Sequence, residues 1–106
     1  MKAVLIPAQG EPRVVETDGA LDDLQLAVGG FIEAVTLSMD AHMYLNEEGK
    51  LNGLAYNHTA TSLWREVLPM VDDVIVGDAI VLGGDEDEDD APAWVLARFG
   101  LEGADA

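Results

Sequence analysis

Apolar and polar positions along the chain change period several times, and each change marks a predicted element. Lys2 to Pro7 is a short β-branched-rich run, and Arg13 to Glu16 is a second one beyond a polar, proline-containing spacer. The pair predicts an N-terminal hairpin. Leu21, Leu24 and Val28 then fall at i, i+3 and i+7 behind Asp18, with Asp22 and Asp23 in the first turn, where a helix dipole favours anions. That spacing predicts a short amphipathic helix over Ala20 to Val28, stopped by Gly29 and Gly30. From Phe31 the period becomes two. Phe31, Glu33, Val35 and Leu37 alternate with Ile32, Ala34 and Thr36, a strand whose apolar face is interrupted only by Glu33.

His42 to Leu45 predicts another strand, and Asn46 to Lys50 a polar turn that returns the chain into a strand over Leu51 to Ala55. Asn57 is a good cap for a helix over Thr59 to Leu68, along which Ala60, Leu63, Trp64, Val67 and Leu68 trace an apolar stripe that ends at Pro69. Asp73 to Leu82 reads as two short strands, or one bent strand with a bulge at Gly77, and is the most buried-looking segment. Asp85 to Asp90 is an unbroken run of six acids whose mutual repulsion predicts a mobile loop or linker. Ala91 to Leu101 predicts a short helix with Trp94, Val95, Arg98, Phe99 and Leu101 on a shared face. The order of elements and the short turns between them predict an α+β fold: a small single domain, a mainly antiparallel sheet and two or three short helices. Residues 1–84 form the core domain, 85–90 the acidic loop or linker, and 91–106 a C-terminal helical segment either packed on the core or presented to a partner.

Charge changes this picture more than composition does. About half of the 106 residues are apolar, yet 21 Asp or Glu stand against five Lys or Arg, a formal charge of −16. Taking away the six-acid run still leaves the folded body strongly acidic, so the acidity belongs to the domain. Such a chain repels phosphates, which excludes direct nucleic-acid binding and makes an NTPase untenable. It has no cysteine, hence no disulfide, thiolate nucleophile or sulfur-ligated metal. A cytoplasmic setting is expected, and no stretch is long and apolar enough to span a membrane.

The strings Val28-Gly29-Gly30-Phe31-Ile32-Glu33-Ala34-Val35, Tyr44-Leu45-Asn46-Glu47-Glu48-Gly49-Lys50, Asn57 with Ala60-Thr61, and Ile75-Val76-Gly77-Asp78-Ala79-Ile80-Val81-Leu82-Gly83 occur in that order. Together they resemble domain of unknown function 3846, a family of small proteins met in bacteriophages and bacteria. The resemblance implies a phage-type provenance, and with it a host cytoplasm, and it carries over no catalytic residue.

Candidate chemistry is sparse. The Asn46 turn lacks the alternating ligands and terminal acid of a calcium loop, His42 and His58 lack a second ligand at helical spacing, and no hydroxyl stands in a nucleophile elbow. No catalytic residue, metal site or cofactor is therefore expected, and the chain is expected not to be an enzyme. Glu33, Asn46, Asn57 and Asp78 each sit at an element boundary and could converge on one polar pocket. Trp94, Arg98 and Phe99 are the candidate partner-binding residues, unless the aromatics simply close the core. The expected function is that of a small phage-type accessory protein that binds a protein partner, a bacterial host protein among the candidates. The alternatives are an acidic nucleic-acid mimic that inhibits a DNA-binding protein, which a homodimer would strengthen, and a small-molecule binder.

Overall fold

A computed structural model describes residues 1–84 and 87–101. Its elements are β1 (Lys2–Ile6), β2 (Arg13–Glu16), α1 (Leu21–Val28), β3 (Ile32–Ser38), β4 (Ala41–Asn46), α2 (His58–Val67), β5 (Ala79–Gly83) and α3 (Ala93–Arg98). The five strands form one sheet in the order β2-β1-β5-β4-β3, with every neighbouring pair antiparallel. The α+β expectation holds. Among the described residues no helix is long and apolar enough to cross a membrane.

Alternation along the strands sorts side chains onto two covered faces. Val4, Ile6, Met43, Leu45 and Val81 meet Ala60 and Leu63 of α2 and Val95 of α3 on one face. Ala3, Tyr44, Ile80 and Leu82 meet Leu24 and Val28 of α1 on the other. β5 is last in sequence but central in the sheet, which is why all five of its residues are buried.

Two expected strands are corrected. Leu51 to Ala55 does not return along β4, because both edges of β4 are already taken by β3 and β5. The segment instead winds through tight turns, with Gly49 N donating to Asn46 O, Asn52 N to Glu48 O and Leu54 N to Gly49 O. Nor is Asp73 to Leu82 one bulged strand: only Ala79 onward enters the sheet, while Val76 pairs with Tyr56 alone and Gly77 turns the chain at φ +77°.

The helical stripe of α2 is likewise less buried than its spacing implies. Leu63 is buried, but Trp64 and Val67 are only partly so, and Leu68, which caps the helix, is exposed.

The acidic run departs from its expectation too, in the four residues that can be described; Asp85 and Glu86 lie outside the described residues. Asp89 exchanges backbone hydrogen bonds with Gly83, at 2.9 and 3.0 Å. Asp90 Oδ1 accepts from Lys2 N at 2.7 Å, and Glu88 accepts from the Tyr44 hydroxyl at 2.5 Å. A side chain at position 83 would collide with the Asp90 carbonyl at 2.2 Å, so a glycine there lets the run lie against the end of β5. Burial, followed by the Glu88 contact, pushes the Tyr44 phenol up to about 12. Repulsion among the acids is offset by donors that the strand ends leave unpaired.

Candidate functional site

Beside α2, the sheet face that carries Val35 and Leu45 is only partly covered. The result is a cleft of ≈ 100 Å³ floored by Val35, Leu45, Trp64 and Ile75. Three acids, Glu33, Glu47 and Asp73, and one base, Lys50, stand around its mouth, with Leu51 beside them. The rim thus keeps two surplus negative charges.

Each wall has a local cause. Glu33 is the polar residue on the sheet face shared with Val35 and Leu45, and its register partner on β4 is Leu45 itself. Glu47 is held beside the start of β3 by its own backbone N–H, which donates to Phe31 O at 2.8 Å. The turns from Gly49 to Leu54 carry Lys50 over the cleft, where its ammonium pairs with Asp73. That contact, helped by the Val74 N–H at 2.8 Å, holds the Asp73 carboxyl below the usual carboxylate range. The floor is steadied from beneath: Asn57 N donates to Ile75 O at 2.8 Å and Ile75 N donates to the Thr61 hydroxyl at 2.9 Å.

The four residues expected to share a polar pocket do not. Glu33 and Asn46 both line this cleft, whereas Asp78 lines a separate hollow with Pro7, Ala8 and Leu54, and Asn57 is buried in the core. Their polar atoms are also committed. Asn46 donates to Val28 O at 3.2 Å and accepts from Glu48 N at 2.8 Å, tying α1 to the end of β4. Asn57 donates to Ile6 O and Gly77 O and accepts from Ala60 N. One Asp78 oxygen accepts from Ala8 N at 2.9 Å. Three of the four are therefore structural fasteners, and only Glu33 presents an uncommitted carboxylate to the cleft.

The C-terminal candidates are engaged within the chain. Trp94 is partly buried against the α2 face and its indole N–H donates to Asp40 at 3.1 Å. The Ser38 hydroxyl and then this indole hold the Asp40 carboxyl below its ordinary value. Arg98 forms a two-pronged pair with Glu66, at 2.6 and 2.5 Å, and lies 5.1 Å over the Phe99 ring, which itself packs on the core.

Sequence reasoning missed the cleft because Trp64 reads as core on its helical stripe and Leu51 as strand. One signal was present: Glu33 interrupts the apolar face of its strand, and an acid on a core-facing row marks where cover runs out.

Chemically the cleft is a binding slot. An apolar floor with an acidic mouth favours a side chain or ligand with an apolar stem and a cationic head. No hydroxyl, imidazole or thiol lines it, and among the described residues no three His, Asp or Glu side chains are grouped to hold a metal ion.

Residues 1–98 match the family model described as domain of unknown function (DUF3846). No curated protein and no solved structure matches the chain.

Proposed function

The chain belongs to the DUF3846 family, whose description names no activity, and we propose that it is a small non-enzymatic accessory protein of phage type that binds a protein partner, in the first instance a bacterial host protein. The observation that carries this reading is the open cleft at the β3 side of the sheet, together with exposed apolar side chains on its rim and at the two ends of β3. Phe31 just before β3 is 63% exposed, Met39 just after it 88%, and Leu51 on the cleft 86%. Exposed apolar side chains at both ends of an edge strand and on the cleft beside it offer apolar area for a partner to cover. The lack of cysteine supports a reducing cytoplasm as the place where it acts.

Charge alone explains the surface less well. The longest dimension is 37 Å, and a duplex of that length carries one charge per about 1.7 Å, or about 22 in all. A net charge of −16 spread over every face falls short of that density.

The test is capture from a bacterial lysate by the immobilised protein, at low and high salt, with Val35→Asp in the cleft and Leu26→Asp on α1 as a distant control. Partner binding through the cleft predicts a captured protein that survives salt and is lost with Val35→Asp alone. Capture that ignores both variants and disappears with salt would turn the assignment toward nucleic-acid mimicry.

A further inference from the structure

The two edges of the sheet are built differently. β2 is four residues long, follows Pro12 and carries Arg13 and Glu16, the kind of short, charged strand that resists pairing with another chain. β3 is seven residues long, contains neither lysine nor proline, and has Glu33 as its single charge. It pairs with β4 on one side only, and its one irregularity, between Thr36 and Ser38, comes at its far end. Glu33, Ala34 and Thr36 are exposed. The side chains of Glu33 and Val35 line the cleft, so the open edge and the slot are continuous.

We infer that the β3 edge and the cleft beside it take an extended, basic segment of a partner protein, which adds a sixth strand to the sheet and lays a Lys or Arg side chain into the cleft. This rests on the partner-binding reading and gives it a chemistry. Strand addition supplies affinity through main-chain hydrogen bonds and specificity through pockets for alternate side chains. A segment lying along β3 points every second side chain toward the face of Glu33 and Val35. There the methylenes of Lys or Arg cover Val35 and Leu45, the charged head reaches Glu33 and Glu47, and Trp64 offers a ring face to the cation. Lys50 does not oppose it, being paired with Asp73. A nucleic acid is repelled by the same rim, and a second copy would bring sixteen more net negative charges to it.

The experiment uses a fluorescein-labelled peptide of about ten residues in which Thr and Lys alternate, as long as strand pairing needs. Its companions are a Thr/Glu peptide and two Thr/Lys peptides N-methylated on odd or on even residues. N-methylation keeps the charge and removes strand donors on one side. Anisotropy should show binding of the parent, none of the Thr/Glu peptide, and about a tenfold or greater loss for one N-methylated peptide but not the other. A Glu33→Gln, Glu47→Gln variant should weaken the parent several-fold more than Glu11→Gln, Asp22→Asn, which removes equal charge elsewhere. Equal binding of both N-methylated peptides, or equal effects of the two variants, would show diffuse charge attraction and overturn the inference. So would a stable dimer in sedimentation that Val35→Asp dissociates, since the edge would then belong to a second copy. If lysate capture depends on Val35 but no Thr/Lys peptide binds, this inference fails and the partner-binding reading stands. If capture ignores Val35, both fail.

Discussion

Asn57 offers the sharpest test of how the fold is fastened. Its side chain is fully buried and makes three hydrogen bonds to three separate elements: to Ile6 O at the end of β1, to Gly77 O before β5, and from Ala60 N in the first turn of α2. Asn57→Ala removes all three at once. Loss of the helix cap costs about 1 kcal/mol. The carbonyls of Ile6 and Gly77 are then left in a site closed to water, at about 1 to 3 kcal/mol each. The combined cost of about 3 to 7 kcal/mol is a large part of the roughly 5 to 15 kcal/mol that holds a domain folded. At about 4 °C or more per kcal/mol for a domain of this size, melting should fall by at least about 12 °C.

Two further substitutions separate cap from clamp. Asn57→Ser keeps an oxygen for Ala60 N but cannot reach both carbonyls, so it should recover only the capping part, about 1 kcal/mol. Asn57→Asp also keeps the cap, yet it faces a carboxylate toward two carbonyl oxygens; it should be at least as damaging as alanine at neutral pH and regain ground on acidification, when a protonated carboxyl can donate once. The assay is thermal and urea unfolding followed by far-UV circular dichroism. Melting of Asn57→Ala within about 4 °C of the parent would refute the reasoning, because the orphaned carbonyls would then be finding water.

Other outcomes follow from the same geometry. Trp64→Ala should cost about 1.5 to 3 kcal/mol in unfolding experiments, below the loss for a fully buried aromatic, because Trp64 is only partly buried and lines the cleft. In a Tyr56→Phe background, absorbance titration should find the Tyr44 phenol ionising near pH 12, and Glu88→Gln should bring it part of the way down. A phenol raised in the folded state gives stability that is whole below its unfolded value of about 10 and is lost as pH climbs from there to about 12. Asp90→Asn should lower melting slightly, by loss of a charge-assisted bond to Lys2 N. The double variant Trp94→Ala, Phe99→Ala should melt clearly lower, since both rings pack on the α2 face.

The inner positions of an element are legible where its own period carries them, and the pairings set by distant parts of the chain are not. The spacing of Leu24 and Val28 and of Ala60 and Leu63 marks the inner faces of α1 and α2 because a helix carries its burial pattern in its own period. Asn57 is legible as a cap for the same reason, but nothing near it in sequence shows that Ile6, 51 residues away, claims its other end. Leu51 to Ala55 looks like a returning strand behind a polar, glycine-containing turn. The sheet order denies it an edge, a fact set by β5 from the far end of the chain. The acidic run follows the same principle: like charges repel, but Gly83, Lys2 and Tyr44 meet it with donors that only the folded sheet brings together.

The charge imbalance belongs to the surface and not to the fold. Lys2 pairs with Glu16, Lys50 with Asp73 and Arg98 with Glu66, so three of the five bases are spent on neighbours inside the chain. Those pairs lie in solvent, where ion pairs contribute little to stability. The carboxyls of Glu16, Asp73 and Glu66 are held below their ordinary values by these contacts, so what stability they give is present at neutral pH and fades as pH falls through the acid range. Glu33 and Glu47 stand outside this set, exposed at the mouth of the cleft and touching no base. Acids kept at an apolar slot without a partner do nothing for folding and cost something in mutual repulsion, which a cationic segment would relieve. Their neutral replacements should therefore fold as well as the parent, or slightly better, while losing what the slot was shaped to hold.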